Sequence, residues 1–149
     1  LSILLIVAAG CAPITPTAAP TAVPAATPST AITDIAWQWT SVANKTANET
    51  TTVSEPEKYT ITFREDGTLS GQADCNNITG TYSQESGFSI ELGASTMAAC
   101  PEGSLDQQYL QLLGEVAAGG PDGQGGLALE TPGGEKRMLF KNGGAAAAQ

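Results

Sequence analysis

Residues 63–101 read FREDGTLSGQADCNNITGTYSQESGFSIELGASTMAACP, and the rest of the chain is arranged around this stretch. Glu65-Asp66-Gly67 spells a turn, since glycine takes positive φ without steric cost. The chain returns over residues 68–73, where Leu69 and Gly71 share one face. A further run, residues 78–83, ends at Glu85-Ser86-Gly87, after which Phe88, Ile90 and Leu92 alternate with polar residues. Just upstream, Tyr59, Ile61 and Phe63 alternate with Thr60, Thr62 and Arg64, the pattern of a half-buried strand. Short strands at regular spacing make an antiparallel meander. The expected class is mainly β, a β-rich α+β chain folded as a small barrel or sandwich.

On the N-terminal side, Trp37 and Trp39 alternate with Gln38 and Thr40 as an opening strand with one face buried. Residues 44–56 (NKTANETTTVSEP) are polar and punctuated, and read as a loop. The sequons at Asn44, Asn48 and Asn77 read as surface chemistry and not as glycosylation sites. On the C-terminal side, Leu105, Tyr109, Leu112, Leu113 and Val116 fall on one stripe, predicting a helix near residues 104–118 that plugs the sheet. Ser104 stands as its N-cap with Gln107 in the capping box, Asp106 suits the macrodipole, and Gly119-Gly120 stops it. A last hairpin is expected to pair Leu127-Ala128-Leu129 with Met138-Leu139-Phe140 across Pro132-Gly133-Gly134. The tail, residues 143–149, is expected to be disordered.

The N-terminus carries an address. Residues 1–9 (LSILLIVAA) form an apolar run too short for a bilayer span, and fit the core of a secretory signal entered partway along. Ala8-Ala9-Gly10-Cys11 resembles a bacterial lipobox, whose cysteine is lipidated and becomes the new N-terminus; an ordinary secretion signal with an incidental cysteine is the rival reading. Ala12, not Asp, follows the cysteine, so the resemblance carries no inner-membrane retention signal. Residues 12–32 are rich in Pro, Thr and Ala, with five of the nine prolines, which excludes helix and central strand. As a partly extended tether of ~3.1 Å per residue they reach about 60 Å. A proline-rich recognition ligand is the alternative, but basic and aromatic neighbours are missing.

The chain of 149 residues holds one domain plus appendages, taken as residues 33–142. Fifteen acids against six bases give a net charge of -9, so no nucleic acid and no electrostatic membrane binding is expected. There is no histidine, which removes Ser-His-Asp and Cys-His arrangements and the commonest transition-metal ligand. Of the three cysteines, a lipidated Cys11 leaves Cys75 and Cys100 as a pair, and outside the cytosol a disulfide is the default. A catalytic thiol needs a base or cation nearby, whereas Asp74 and Glu102 are the charged neighbours.

These residues together resemble the META domain, the HslJ-like family. The likeness rests on Trp37, Phe63, Asp66-Gly67, Gly71, Asp74-Cys75-Asn76, Gly80, Tyr82, Thr96-Met97-Ala98, Cys100, Leu105-Asp106, Tyr109, Leu113 and Phe140. It implies a compact barrel-like domain with one helix and a bacterial envelope or stress setting. It brings no catalytic residues. Asp66, Asp74 and Asn76-Asn77 offer oxygens to a hard cation, but their spacing is not that of an EF-hand, and such turns usually bond their own backbone. Glu65, Asp66, Glu85 and Glu91 sit at turns or outward positions, which does not suit a carboxylate pair across a cleft. Residues 119–126 (GGPDGQGG) lack the Lys of a phosphate loop. Neither metal nor cofactor is expected. The expectation is a monomeric, non-enzymatic, lipid-anchored envelope module that meets a membrane through Cys11 and a protein partner through its surface. The alternative is a carrier holding a small apolar ligand inside the barrel.

Overall fold

A computed structural model describes residues 32–147; the segment read as a signal, Cys11 and residues 12–31 of the expected tether lie outside them. Ile32, expected to end the tether, is instead buried in the core, its carbonyl accepting the Trp37 indole N–H at 2.9 Å. The first strand, β1 (Ile35–Asn44), buries Trp37 and Trp39 by simple alternation. Its inward set then shifts to Val42, because a bulge after Trp39 sets Trp39 and Ser41 against the consecutive partners Phe140 and Leu139. Residues 44–56 are not all loop. They contain β2 (Glu49–Thr52), paired with residues 41–44 of β1. Its sequence ETTT buries almost nothing, so a backbone ladder and threonine's preference for extended structure hold it, without the alternation that marks the other strands.

The meander is as expected. β3 (Tyr59–Phe63), β4 (Thr68–Ala73), β5 (Asn76–Ser83) and β6 (Ser89–Leu92) pair in sequence. Register sets Gly71 opposite Ile61 and Ile78, and Gly80 opposite Leu69 and Leu92. The helix, α1 (Asp106–Gly114), is shorter than the apolar stripe implies. Leu105 takes the cap position, and no side chain caps the helix; the Ser104 hydroxyl accepts the Asp106 amide at 3.2 Å instead of forming a capping box. Tyr109, Leu112 and Leu113 are its buried residues, and Val116 reaches the core from the segment beyond.

Gly119-Gly120 does not stop the helix. It lies in β7 (Ala118–Pro121), paired with β8 (Leu127–Glu130). A Cβ on Gly119 would press into Leu129 and stand 3.2 Å from the Phe88 ring, so the glycine serves close strand approach. The loop that follows turns on Asp122, whose carboxylate accepts the amides of Gln124 and Gly126 at 2.7 and 2.9 Å. The last hairpin runs across Pro132–Gly134 into β9 (Lys136–Ala145). That strand passes beyond Asn142 into the expected disordered tail: Ala145 pairs with Ile35, and Ala146 donates to the Asp34 carbonyl at 2.9 Å. Backbone pairing with β1 and the bond from the Arg64 guanidinium to the Ala147 carbonyl at 2.9 Å hold this segment, and Gly-Gly-Ala announces neither through its side chains.

Nine strands are thus present among the described residues. Eight of them form one antiparallel path, β6-β5-β4-β3-β1-β9-β8-β7. Its two ends meet where the Phe88 amide donates to the Ala117 carbonyl at 3.1 Å, nearly closing a barrel. The interior is one apolar cluster, on which α1 lays Tyr109 against Trp39, stacked at 5.1 Å between centroids.

Candidate functional site

The motif residues fall into three places along β4 and β5. At one end, Asp66 and Gly67 (φ 83°) turn the chain from β3 to β4. The Asp66 carboxylate accepts the Thr68 hydroxyl at 2.6 Å and the Thr68 amide at 2.9 Å. These bonds hold its pKa below the ordinary carboxylate range, and they spend the carboxylate on its own turn. Tyr82 closes the same corner: its hydroxyl donates to the Arg64 carbonyl at 2.8 Å, and its ring meets Phe63 at 4.7 Å. In the middle, Gly71 and Gly80 leave room for backbone, because a Cβ at either would collide with the carbonyl of Thr60 or Glu91.

The third group gathers at the other end of β4. Asp74 adopts φ 54° in the two-residue link from β4 to β5, which directs Cys75 outward to Cys100. The two are joined in a disulfide with Cα atoms 5.5 Å apart. Asn76 then enters the core at 2% exposure, and its amide grips Ala98 by both backbone groups: Oδ1 accepts the Ala98 amide at 2.8 Å and Nδ2 donates to its carbonyl at 3.0 Å. The backbone amide of Asn77 donates to the Thr96 hydroxyl at 2.9 Å, and the Thr96 amide returns a bond to the Asn77 carbonyl at 3.2 Å. Gly93 and Ala94 are tied to Thr79 in the same way. Residues 93–100 therefore form an irregular strap along the edge of β5, locked on both sides of residue 97.

Met97 itself points away. It is 81% exposed, the one large hydrophobic side chain standing in solvent among the described residues. Beyond the disulfide the chain leading into α1 is anchored to the core by Tyr59, whose hydroxyl accepts the Leu105 amide at 2.8 Å. Sequence reading treated Tyr59 only as a strand residue. Its partner lies 46 residues away, and no local pattern announces such a bond.

Asp74, Cys75, Asn76, Thr96, Met97 and Cys100 thus come together, while Asp66, Gly67 and Tyr82 serve the opposite corner. Asp66 and Asp74 stand at opposite ends of β4 and do not converge with Asn76 and Asn77 as a cation site would require. Among the described residues no three of His, Cys, Asp and Glu lie close enough to hold a metal ion, and no helix is long and apolar enough to cross a membrane. What the arrangement supplies is rigid display of a short segment.

A small, nearly closed antiparallel barrel with one packed helix and a disulfide-tied strap defines the class. The META domain family model matches residues 30–143, and the chain belongs to that family. Two solved structures share the fold. An NMR structure of a protein from Burkholderia xenovorans is 20% identical, with 87% of this chain and 97% of that one covered at a TM-score of 0.60. A crystal structure of a DUF4847 family protein from Bacteroides vulgatus is 16% identical, with 79% and 96% covered at a TM-score of 0.54. No curated protein matches the sequence.

Proposed function

We propose that this META domain is a non-enzymatic interaction or stress-related module of the bacterial cell envelope, held to a membrane by lipid on Cys11. The strap carries this reading: the Asn76 amide, the Asn77–Thr96 bond and the Cys75–Cys100 disulfide fix the backbone around Met97, and the Met97 side chain itself is left in solvent. A segment whose backbone is already fixed has no backbone to order on contact, which suits an anchor for a protein partner. The interior favours the same reading over an apolar-ligand carrier. Trp39, Tyr109, Phe63, Ile61, Leu113 and Leu129 are all under 2% exposed and occupy the space a ligand would need. The anchor rests on the lipobox-like Ala8-Ala9-Gly10-Cys11.

The test joins both parts in one experiment. The precursor is expressed in bacteria fed an alkyne-tagged palmitate, with a photoreactive phenylalanine at position 97 or, as a control, at position 51. We expect palmitate on the wild type and none on Cys11→Ser, with a discrete crosslink from position 97 only. Label persisting in Cys11→Ser removes the anchor, and equal crosslinking from both positions removes the strap as the contact.

A further inference from the structure

We propose that Met97 is a reversible oxidation site, at which a peroxide converts the thioether to the sulfoxide while the fold stays intact. The chain has two methionines, and the fold separates them completely: Met97 is 81% exposed and Met138 is 1% exposed. The tryptophans and the cysteines among the described residues are sheltered or already oxidised. Trp37 and Trp39 are 3% and 0% exposed, and Cys75 and Cys100 are joined. Oxidation follows access to the sulfur, so the reaction is directed to one atom.

The chemistry is a two-electron transfer. A sulfur lone pair attacks one oxygen of hydrogen peroxide, the O–O bond breaks as the S–O bond forms, and the departing hydroxide takes the proton of the transferred oxygen and leaves as water. Sulfur is oxidised and the peroxide is reduced. The Ser95 hydroxyl lies 3.5 Å from the Met97 sulfur, so the new oxygen forms beside a donor that it accepts from better than the thioether did. None of the strap's fixing bonds uses the Met97 side chain: they belong to Asn76, Asn77, Thr79 and the disulfide. The sulfoxide therefore changes the polarity of the exposed point without freeing the backbone beneath it. A methionine sulfoxide reductase reaches the same exposed atom and restores it.

The experiment treats the folded protein with hydrogen peroxide and follows each methionine by tryptic mapping. Cleavage places Met97 in residues 65–136 and Met138 in residues 138–141, so the two are read separately. Expected is a gain of about 16 Da on the first peptide, at least about tenfold faster than on the second and reversed by a mixture of reductases A and B. Near-UV circular dichroism stays unchanged, and Met97→Leu folds normally and gains no oxygen over the same interval. Comparable rates at the two methionines, failure of the reductases, or loss of the near-UV signal on oxidation would each overturn the proposal. The outcome is independent of any partner, so it stands or falls apart from the interaction reading.

Discussion

Tyr109 lies at the centre of the aromatic core, fully buried, stacked on Trp39 and edge-on to Tyr59 at 5.7 Å. Its hydroxyl is the one buried side-chain polar atom without a hydrogen-bond partner among the described residues. Burial pushes the phenol well above its usual pKa, so it stays neutral, but a neutral orphan hydroxyl still costs its lost hydration. Removing the oxygen keeps the ring and its stacking. Tyr109→Phe should therefore raise stability by about 1 kcal/mol in urea denaturation. A loss of that size would instead mean that the hydroxyl holds a buried water worth keeping. Tyr59 makes the contrast, because its hydroxyl has the Leu105 amide as a partner. The stripe of apolar residues showed that Tyr109 is buried. It was silent on where the oxygen would end up, because that depends on packing against β1 and β3.

Among the elements, strands approach closely enough to exclude a methyl group at several glycines, most tightly at Gly71 and Gly80. A Cβ at Gly71 meets the Thr60 carbonyl of β3, and one at Gly80 meets the Glu91 carbonyl of β6. Backbone atoms in a ladder cannot move aside as a flexible side chain can. Gly71→Ala and Gly80→Ala should each cost about 2 kcal/mol or more by chemical denaturation, whereas Gly120→Ala, with no atom within 4 Å of its Cβ, should be nearly neutral. Equal effects at all three would show that contact with the neighbouring strand does not set the cost. The same physics marks what was legible beforehand. The alternation in β1, β3 and β6 exposed a buried face and placed those strands. β2 has no buried face, and β7 consists of Ala-Gly-Gly-Pro, so neither left such a pattern. In residues 119–126 a glycine that permits close approach looks the same as one that ends a helix. Only the position of the Phe88 ring and Leu129 tells them apart.

At the scale of the whole molecule, a net charge of -9 sits on a barrel whose acids are partly tied to its turns. Asp66, Glu115 and Asp122 are each held below the ordinary carboxylate range, mainly by hydrogen bonds from Thr68, Gln111 and Gln124 respectively. A carboxyl whose folded pKa is lowered adds stability above its unfolded pKa and loses it as pH falls through the folded value. Acid should therefore weaken the fold below about pH 4, even as protonation relieves general repulsion. Asp66→Asn keeps the turn's acceptor and cannot titrate, so its stability should fall less steeply than the wild type's between about pH 5 and pH 3. Urea midpoints at pH 7, 5 and 3 decide it, and parallel curves for the two proteins would end the argument. The candidate site was half legible at this scale. The run Asp74-Cys75-Asn76 and the segment Thr96-Met97-Ala98 stood out as motif, and the Cys75–Cys100 pairing followed from counting. That Asn76 grips the backbone on one side of Met97 did not, because the bond spans 22 residues and depends on how the strap lies along β5.

The pairing of Ile35 with Ala145 carries a consequence for how such a domain is used. The first and last strands of the barrel are neighbours in the sheet, so the chain enters and leaves the fold at one spot. A unit wired in this way is a cassette. Joining its two ends with a short linker and opening a surface turn makes a circular permutant, and splicing it into a loop of a host protein needs little separation of the host's two halves.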